Sequence, residues 1–486
     1  MVFAKPFGRT RLVYFVGIGG IGMSALAKIV YSMGYHISGS DLHHSENVSD
    51  LEKLGIEVAI GHQRSHITSR QDIDVVVTSS AISPANPEIL AARDKQIPII
   101  TRGELLAEIM RLKEGIAIAG THGKTTTTSI VSAIFHEAGY SPTAVIGGRW
   151  SGIHSNAQLG ESDIMICETD ESDGSFLKLS PVFSIVTNID IDHMDYYLNE
   201  ERLILHFLEF INRVPFYGKA FLCFDDNRIA ALKPNLKKPY ATYGLQRDSN
   251  KPLSASNSSI RTQSPTTTHS LDIYGKILKL NRFSSDFEVT AYGKALGPMK
   301  LQMPGEHNVL NALPAIGVAL EAGITVDPIK AALSQFKGVE RRLSVIGKWR
   351  NLTIMDDYGH HPTEIKVTLH TLQSLYKTVI VAFQPHRYSR TLEHYKQFAK
   401  ELVKADKIYL LPIYSAGEKP IENVSSAMIA QEITALAPKK TIHLVPDLES
   451  LSTTIVKKEQ ATDGIFLTIG AGTVYKAAKE LANLEH

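Results

Sequence analysis

The chain has 486 residues, 43% of them hydrophobic, which is enough for about three domains at the usual ~150 residues each. Its 51 basic and 50 acidic residues leave a net charge of +1, so the composition indicates neither a nucleic-acid-binding surface nor an acidic disordered tail. Two cysteines exclude a disulfide framework, and with neither a signal peptide nor an apolar run of ~20 residues we expect a cytoplasmic protein that does not bind membranes.

A first glycine-rich turn, residues 17–22, follows a predicted strand at 12–16 and precedes a predicted helix. A second strand is predicted at 37–40, with Asp41 at its end. A G-x-G-x-x-G turn with an acid about 20 residues further on is typical of a Rossmann unit, in which a diphosphate approaches the backbone. Taken alone the pattern suggests NAD or NADP, although any diphosphate-containing nucleotide satisfies it. A tight turn without a ligand is the alternative.

The next predicted strand, residues 75–77, ends in small polar residues that include Ser79 and Ser80. Ligands of open α/β sheets lie beyond the carboxyl ends of the strands, so both serines are candidates for the same site. Capping the following segment is an equally good explanation of each. A boundary is predicted at 113–115.

A second glycine-rich turn, Gly120 to Thr126, follows a short apolar strand at 116–119 and precedes apolar residues at helical spacing. Backbone N–H groups and a helix N-terminus at such a turn point at an anion. Lys124 supplies positive charge to the terminal phosphates, and Thr125 offers a hydroxyl to Mg²⁺. The strict pattern has glycine where Ile118 stands, so this is a non-standard phosphate loop, with a glycine-rich turn before an ordinary helix as the alternative.

Acidic residues follow two further predicted strands, at 163–167 and 183–187. Mg²⁺ prefers hard oxygen ligands, so two acidic strand ends in one nucleotide-binding domain indicate metal or phosphate chemistry rather than solvated turns. Imidazole prefers softer ions, so His193 is equally well explained as an ordinary hydrogen-bonded residue. The side chains at these ends are Glu168, Asp170, Glu171, Asp173, Asp190, Asp192, His193 and Asp195.

Residues 246–270 are rich in Ser and Thr and predict a loop or hairpin connection, and alternation from Leu271 onward predicts antiparallel strands. The segment 305–311 then opens an apolar helix. Its polar side chains either meet a purine base or cap the helix.

The last third of the chain predicts strands at 351–355, 378–383, 407–411 and 464–469, separated by helical stretches and so forming a parallel sheet. His and Arg residues follow the first two of these strands. Arg387 and Arg390 offer the planar fork that suits a carboxylate, with solvent-exposed arginines as the alternative.

The predicted fold is therefore α/β with three domains. A Rossmann-like N-terminal domain is expected at 1–113, a P-loop ATPase-like central domain at 114–337 and a Rossmann-like C-terminal domain at 338–486.

With these motifs assembled, essentially the whole chain closely resembles the Mur ligases, the ATP-dependent amide-forming enzymes of peptidoglycan precursor synthesis. The resemblance rests on the two glycine turns, on Gly39-Ser-Asp41, and on the acidic stretches at 168–176 and 192–195. It rests further on the segments at 306–311, 356–362 and 383–390.

The resemblance implies that L-alanine is joined to the lactyl carboxylate of UDP-N-acetylmuramate through an acyl phosphate, with ATP and Mg²⁺, by a monomer or weak homodimer. ATP is expected to contact Gly120, Thr121, His122, Gly123, Lys124, Thr125, Thr126, His307, Asn308 and Asn311. The UDP-linked substrate is expected at Gly17, Gly19, Gly20, Ile21, Gly22, Met23, Ser24, Asp41, Ser79 and Ser80. The metal is expected at Thr125, Glu168 and His193, and the amino acid at Tyr358, His360, Arg387 and Arg390. The catalytic residues are expected to be Lys124, His193 and Arg387.

Other functions remain open. A related family member attaches a recycled peptide to the same UDP-sugar, but it usually carries Glu-Tyr-Asp where this chain has Glu171-Ser172-Asp173. A nicotinamide dehydrogenase would use residues 17–41 and leave the second glycine turn idle. A nucleotide-gated binding protein would not need the Arg and His residues of the last domain.

Overall fold

The computed structural model describes residues 6–147, 157–246, 271–459 and 463–484. Most of the Ser/Thr-rich stretch predicted as a connection therefore lies outside the described residues. No helix within the described ranges is both long enough and apolar enough to cross a bilayer. The strands form three sheets in succession along the chain, as the predicted three-domain α/β fold requires.

The first sheet has five parallel strands in the order β3-β2-β1-β4-β5. This order places the carboxyl end of β1 between those of β2 and β4, where ligands of such sheets bind. The strands are β1 (Leu12–Val16), β2 (His36–Asp41), β3 (Glu57–Ile60), β4 (Val75–Thr78) and β5 (Ile99–Thr101). The helices are α1 (Ile21–Ser32), α2 (Glu46–Lys53), α3 (Ser65–Thr68), α4 (Pro87–Asp94) and α5 (Arg102–Met110).

The second sheet has ten strands in the order β15-β14-β13-β12-β11-β10-β6-β9-β7-β8. Strand β13 pairs antiparallel with β14 and β14 with β15, which confirms the antiparallel strands predicted after Leu271. The strands are β6 (Glu114–Ala119), β7 (Thr143–Val145), β8 (Ala157–Gln158), β9 (Ile164–Glu168), β10 (Phe183–Val186), β11 (Lys219–Cys223), β12 (Tyr240–Leu245), β13 (Ile273–Leu280), β14 (Ser285–Ala291) and β15 (Lys294–Leu301). The helices are α6 (Lys124–Glu137), α7 (Met194–Tyr197), α8 (Glu200–Ile211), α9 (Asn227–Ala231), α10 (Glu306–Glu321) and α11 (Val326–Gln335), with short 3-10 turns at Ser175–Lys178 and Lys233–Asn235.

The third sheet has six strands in the order β16-β17-β21-β18-β19-β20. The four strands predicted to be parallel, β17, β18, β19 and β21, do pair in parallel, and an edge strand that was not predicted, β16, runs antiparallel to β17 across a short turn. The strands are β16 (Ser344–Trp349), β17 (Leu352–Asp357), β18 (Val379–Phe383), β19 (Lys407–Leu410), β20 (Thr441–Leu444) and β21 (Gly464–Ile469). The helices are α12 (Pro362–Leu375), α13 (Tyr388–Leu402), α14 (Ser426–Leu436), α15 (Glu449–Lys458) and α16 (Tyr475–Ala482).

The hydrophobic clusters connect the first two domains and leave the third domain with clusters of its own. One apolar cluster runs from β1, α1 and α5 of the first sheet through the whole second sheet and ends at Val339. The third sheet has two clusters of its own, one on each face, which begin at Leu343 and at Trp349. Apolar packing therefore joins the first two domains, whereas hydrogen bonds and ion pairs such as Thr363–Asp190 and His122–Glu364 link the second domain to the third.

Candidate active site

The second glycine turn lies between β6 and α6, as predicted. Gly120 adopts a φ of +129°, and a Cβ there would lie 2.1 Å from Thr187 Oγ1. Gly123 precedes the helix with a φ of +84°, and a Cβ there would lie 2.4 Å from Asn311 Oδ1. Both positions require glycine, because a side chain would be strained and would also collide with a neighbour.

The side chain of Lys124 folds over this turn. Its Nζ donates to the carbonyls of Gly120 at 2.5 Å and Thr121 at 3.2 Å, and to Glu171 Oε1 at 2.7 Å. Burial alone would lower the pKa of Lys124, but the carboxylates of Glu171 and Glu168 raise it above its ordinary value. The ammonium group is therefore charged and held at the helix N-terminus, where a phosphate would bind.

The two acidic strand ends meet at this turn because β9 and β10 flank β6 in the sheet. Glu168, the last residue of β9, accepts the Thr125 hydroxyl at 2.9 Å and the Gly147 N–H at 2.7 Å. His193 follows β10 and lies 3.6 Å from Asp192 in a left-handed backbone conformation. The three residues predicted for the metal, Thr125, Glu168 and His193, line one cavity of about 190 Å³.

The donor set of this small cavity fits a hard divalent cation. Carboxylate and hydroxyl oxygens dominate it, as Mg²⁺ requires. Glu171 is 4% exposed, and its Oε2 is a buried carboxylate oxygen with no hydrogen-bond partner among the described residues. A cation would satisfy that oxygen, so Glu171 is a fourth candidate ligand that the sequence prediction had left unassigned.

A larger cavity of about 810 Å³ opens on the other side of the turn. The three residues predicted for the purine, His307, Asn308 and Asn311, line it together with Thr125 and Thr126. Burial lowers the pKa of His307 to about 4, so the ring is neutral and can accept or donate a hydrogen bond. The amide nitrogen of Asn308 donates to Pro304 O at 2.7 Å, which leaves its amide oxygen as the group more readily offered to a ligand.

Residues of the third domain line both cavities, whereas the sequence assigned none of them to the nucleotide cavity. Arg342 and Glu364 line the large and the small cavity alike, and their side chains lie 3.2 Å apart. Glu364 also accepts the backbone N–H groups of His360 and His361 in the capping box of α12. A polar residue followed three positions later by Glu before an apolar run is a capping signal, but it does not reveal the distant partners.

His122 links the second domain to the third. Its Nε2 lies 3.3 Å from Asp190 Oδ2 and its Nδ1 lies 3.6 Å from Glu364 Oε1, while Thr363 donates to Asp190 at 2.6 Å. Burial would lower the pKa of His122, but the two carboxylates raise it to about 9. An imidazolium ion therefore sits between the phosphate turn and the start of α12.

The residues predicted for the amino acid lie at the ends of β17 and β18, on either side of β21. Tyr358 and His360 line the small cavity, whereas Arg387 and Arg390 are absent from its lining. The His360 ring lies 5.9 Å from that of His386, and Arg390 lies 3.5 Å from His386 Nδ1 and 4.0 Å from Asp192. The structure thus brings Tyr358, His360 and Arg390 into one neighbourhood, with the Arg390 side chain 14% exposed beyond the cavity lining, whereas Arg387 is exposed.

Neutral histidines surround these arginines. Burial lowers the pKa of His360 to about 4 and that of His386 to about 3. At neutral pH the positive charge of this region therefore comes from arginines rather than from the imidazoles, and these include Arg342, which lies 5.3 Å from the Tyr358 ring.

The first glycine turn lies at the carboxyl end of β1, away from both cavities. The N–H groups of Gly17 and Ile18 donate to Ser40 O, and the N–H of Gly19 donates to Asp41 Oδ2 at 2.8 Å. A Cβ on Gly17 would lie 3.0 Å from Ile82, so the turn that carries Ser79 and Ser80 is its neighbour, as predicted.

Several predicted contacts of this first turn have a structural role in the unbound chain. Asp41 holds the Gly19 N–H, Met23 is 2% exposed in the core, and the Ser24 hydroxyl donates to Ile21 O at 3.1 Å. A ligand would therefore meet Met23 mainly through the backbone, whereas the Ser24 N–H already donates to Gly20 O at 2.8 Å. Gly20 precedes α1 with no side-chain cap, which leaves this helix end suited to an anion.

Comparison with known sequences gives three matches that together span most of the chain. The profile described as Mur ligase family, catalytic domain matches residues 12–114, the Mur ligase middle domain matches 118–319, and the Mur ligase, glutamate ligase domain matches 341–472. The UDP-N-acetylmuramate–L-alanine ligase of Syntrophotalea carbinolica is 44% identical over 477 residues, covering 98% of each chain. That of Geobacter sulfurreducens is 43% identical over 483 residues, covering 99% of each.

Solved structures agree with this relationship. The crystal structure of UDP-N-acetylmuramate-alanine ligase from Thermotoga maritima is 29% identical, covers 96% of this chain and 97% of its own, and superposes with a TM-score of 0.78. A murein peptide ligase from Psychrobacter arcticus is 22% identical, with a TM-score of 0.69 over 98% of this chain and 100% of its own, which supports the same fold.

Proposed function

The chain belongs to the Mur ligase family, and we propose that it joins L-alanine to the lactyl carboxylate of UDP-N-acetylmuramate in peptidoglycan precursor synthesis, converting ATP to ADP and phosphate. One observation carries the proposal. The large cavity and the small cavity share His122, Gly123, Thr125, Arg342 and Glu364, so they meet at the phosphate turn.

Each cavity suits one substrate. The large one has room for a nucleotide and contains the residues predicted for adenine. The terminal phosphates would reach Thr125, which both cavities share, and Lys124, which lines the small one. The small one begins at that phosphate end and reaches Tyr358 and His360 of the third domain. A phosphoryl group leaving ATP would thus emerge beside the residues that we assign to the amino acid.

The first step forms a bond between a lactyl carboxylate oxygen and the γ-phosphorus of ATP, while the bond to the bridging oxygen of ADP breaks. Lys124 would exchange Glu171 for the phosphate and neutralise charge that spreads over the transferred oxygens. Thr125, Glu168, His193 and Glu171 would hold Mg²⁺, which when bound supplies further neutralisation of phosphate charge. The product is an acyl phosphate.

The second step forms the amide bond. The amine of L-alanine attacks the acyl carbon, the bond from that carbon to the phosphate oxygen breaks, and inorganic phosphate departs with the proton lost by the nitrogen. Tyr358 and His360 line the small cavity and would orient the amino acid. Arg387 and Arg390, beyond that lining, would provide the positive charge that its carboxylate needs. Because an acyl phosphate hydrolyses in water, we propose that His122 and Glu364 hold the second and third domains together while it exists.

We assign the UDP moiety to the first glycine turn and its neighbours, including Asp41, Ser79 and Ser80. We place the reaction in the cytoplasm, which suits the two free buried cysteines, Cys167 and Cys223. The expected solution state is a monomer or weak homodimer, which analytical ultracentrifugation would test. The proposed domains remain 1–113, 114–337 and 338–486.

The decisive test is release of phosphate and ADP with each substrate omitted in turn. Ligase activity requires both UDP-N-acetylmuramate and an amino acid, and a panel of L-alanine, glycine and L-serine measures selectivity, because one methyl group discriminates by only about 1–3 kcal/mol. Phosphate release that is independent of the amino acid would contradict the proposal. A product formed only with a peptide would favour the peptide-adding relative.

The arginines supply a second test. We expect Arg390→Ala to raise the KM for L-alanine at least ~10-fold while leaving the KM for ATP within ~2-fold, because its charge is placed beside His386 and Asp192 rather than at the phosphate turn. Steady-state kinetics with each substrate varied measures both constants. An unchanged KM for L-alanine would remove Arg390 from the amino-acid site.

A further inference from the structure

The first glycine turn lacks a cation of its own. Residues 17–22 are Gly-Ile-Gly-Gly-Ile-Gly, and the charged side chain bonded to the turn is the carboxylate of Asp41. The bare N-terminus of α1 offers the equivalent of about half a positive charge, whereas a diphosphate carries at least two negative charges. A diphosphate at this turn therefore needs a positive group from elsewhere in the fold.

Arg102 lies where that group is needed. A Cβ placed on Gly22, the second residue of α1, would lie 3.1 Å from both Cδ and Nη1 of Arg102. The side chain is 19% exposed, so it is mostly enclosed beside the turn. Gly22 thus leaves the space that the guanidinium occupies, and a Cβ there would require the Arg102 side chain to shift by a few tenths of an ångström.

Local structure fixes the position of the Arg102 backbone. Thr101 and Glu104 form a capping box, so Arg102 is the first residue of α5. Gly103 packs so closely on the second domain that a Cβ there would lie 2.5 Å from the Cβ of Ser175. The start of α5 is therefore held between the first glycine turn and the segment that follows β9.

One end of the guanidinium is anchored in the second domain. Nη2 donates to Asp170 Oδ2 at 2.7 Å, and Asp170 Oδ1 is itself held by the N–H of Ser172 at 3.0 Å. Among the described residues, Asp170 is the only hydrogen-bond acceptor of Arg102. Since a guanidinium carries five N–H donors, Nε and Nη1 remain for an anion.

We propose that Arg102 binds the diphosphate of the UDP-linked substrate and couples it to the acidic segment 168–173, which carries Glu168 and Glu171 of the phosphoryl-transfer site. The ligand class is a nucleoside diphosphate or its sugar ester. Arg102 is a binding and positioning residue, because it reaches the reacting atoms only through Asp170 and its neighbours. The assignment rests on the proposed function in taking the ligand of the first turn to be a UDP-sugar.

Calorimetric titration of the full chain with UDP tests this assignment, with ligand-observed NMR for uridine, which has no phosphate. We expect Arg102→Gln to weaken UDP binding at least ~10-fold, Arg102→Lys to weaken it less, and uridine binding to change by no more than ~2-fold. ATP affinity within ~2-fold of the parent value shows that each variant is folded.

A further variant separates phosphate binding from a simple tie between domains. Lys178→Gln removes a second side-chain link between the domains at α5, where Lys178 donates to Glu104 at 2.9 Å, without touching the glycine turn. This variant should retain UDP affinity within ~3-fold. The proposal is overturned if Arg102→Gln binds UDP normally, or if Lys178→Gln weakens UDP binding as much as Arg102→Gln does.

The result is independent of the ligase assay. If the parent chain shows no ligase turnover but Arg102→Gln still loses UDP binding selectively, the proposed function fails and the role of Arg102 stands. If the parent is an active ligase and Arg102→Gln binds UDP normally, the role of Arg102 fails alone.

Discussion

The two glycine turns share the same strand–turn–helix structure, but the cation beside each turn comes from a different part of the chain. Each lies at the carboxyl end of a buried central strand, among parallel strands, and precedes a helix without a side-chain cap. The second turn contains its own cation, Lys124, whose hydrogen-bond partners belong to the same domain. In the first turn a backbone N–H donates to the carboxylate of Asp41. The cation beside that turn is Arg102, which belongs to a helix about 80 residues further along the chain.

This difference shows that a phosphate-binding turn can be complete in one domain or only at a domain interface. Lys124 needs only its own loop and the neighbouring strand ends. Arg102 is positioned by α5 and by Asp170 of the second domain, and the first two domains share one continuous apolar cluster that keeps this interface in place. Loss of Lys124 should therefore impair phosphate binding within one domain, whereas loss of Arg102 removes a contact that depends on two domains.

The largest effect is expected at Lys124. Lys124→Ala should lower kcat by about 10³-fold, because a buried charge that neutralises the transferred phosphoryl group is lost. The substitution also leaves the buried carboxylate of Glu171 without its cationic partner, so thermal stability should fall. Steady-state turnover and thermal melting measure the two effects.

The double variant Lys124→Ala/Glu171→Gln removes the stranded charge. It should recover thermal stability without recovering turnover. Turnover near that of the parent in either variant would contradict the assignment of the second turn to ATP.

A comparison of two glycines separates the effect of backbone strain from the effect of a steric collision in the second turn. Gly123 and Gly139 both have a φ of +84°, but only at Gly123 would a Cβ collide, 2.4 Å from Asn311 Oδ1. Both alanine variants should lose about 1–2 kcal/mol of stability from backbone strain. Gly123→Ala alone should raise the KM for ATP, by about 10-fold, because Asn311 lines the nucleotide cavity.

Differential scanning fluorimetry and ATP titration distinguish these outcomes. Equal KM values for ATP in Gly123→Ala and Gly139→Ala would mean that the contact between the turn and Asn311 has no role in nucleotide binding.

In the first turn, Asp41→Ala should have a smaller effect confined to the UDP-substrate. Loss of the hydrogen bond to Gly19 N–H loosens the turn, and we expect the KM for UDP-N-acetylmuramate to rise about 3- to 10-fold with the KM for ATP unchanged. Asp94→Ala in the same domain is the control, since Asp94 is exposed and pairs with exposed Arg64. A matching change in both variants would point to general destabilisation of the first domain.

The smallest effect is a pH dependence carried by the second turn through His122. Its pKa is raised to about 9 in the folded chain from an ordinary value of about 6.5. The stabilisation it provides is therefore complete below pH ~6.5 and is lost as the pH rises through about 9. Asp190 and Glu364 have lowered pKa values, so they stay ionised throughout this range.

Between pH 6.5 and 9 the melting temperature of the parent should fall by about 2–4 °C more than that of His122→Gln. Thermal scans of both proteins in matched ionic strength measure the difference. Parallel curves would show that His122 is not an imidazolium bridge between the second and third domains.

Much of this molecule follows from local sequence. The strands 12–16, 116–119 and 464–469 are apolar runs bounded by glycine, and the structure has strands at or within two residues of each. The three-domain α/β fold follows from their alternation with helices. The short edge strands β3, β8, β16 and β20 were not predicted, because strands of two to six residues with one exposed face have weak patterns.

The sequence by itself determined the two glycine turns, Lys124 and the acidic strand ends, because those features depend on residues adjacent in the chain and on the parallel order of a sheet. Only the tertiary structure decided that Arg342 and Glu364 border both cavities, that His122 is charged, and that Arg102 faces Gly22. Each of those properties depends on groups from separate domains, and charge and proximity across an interface leave no periodic signal in the chain.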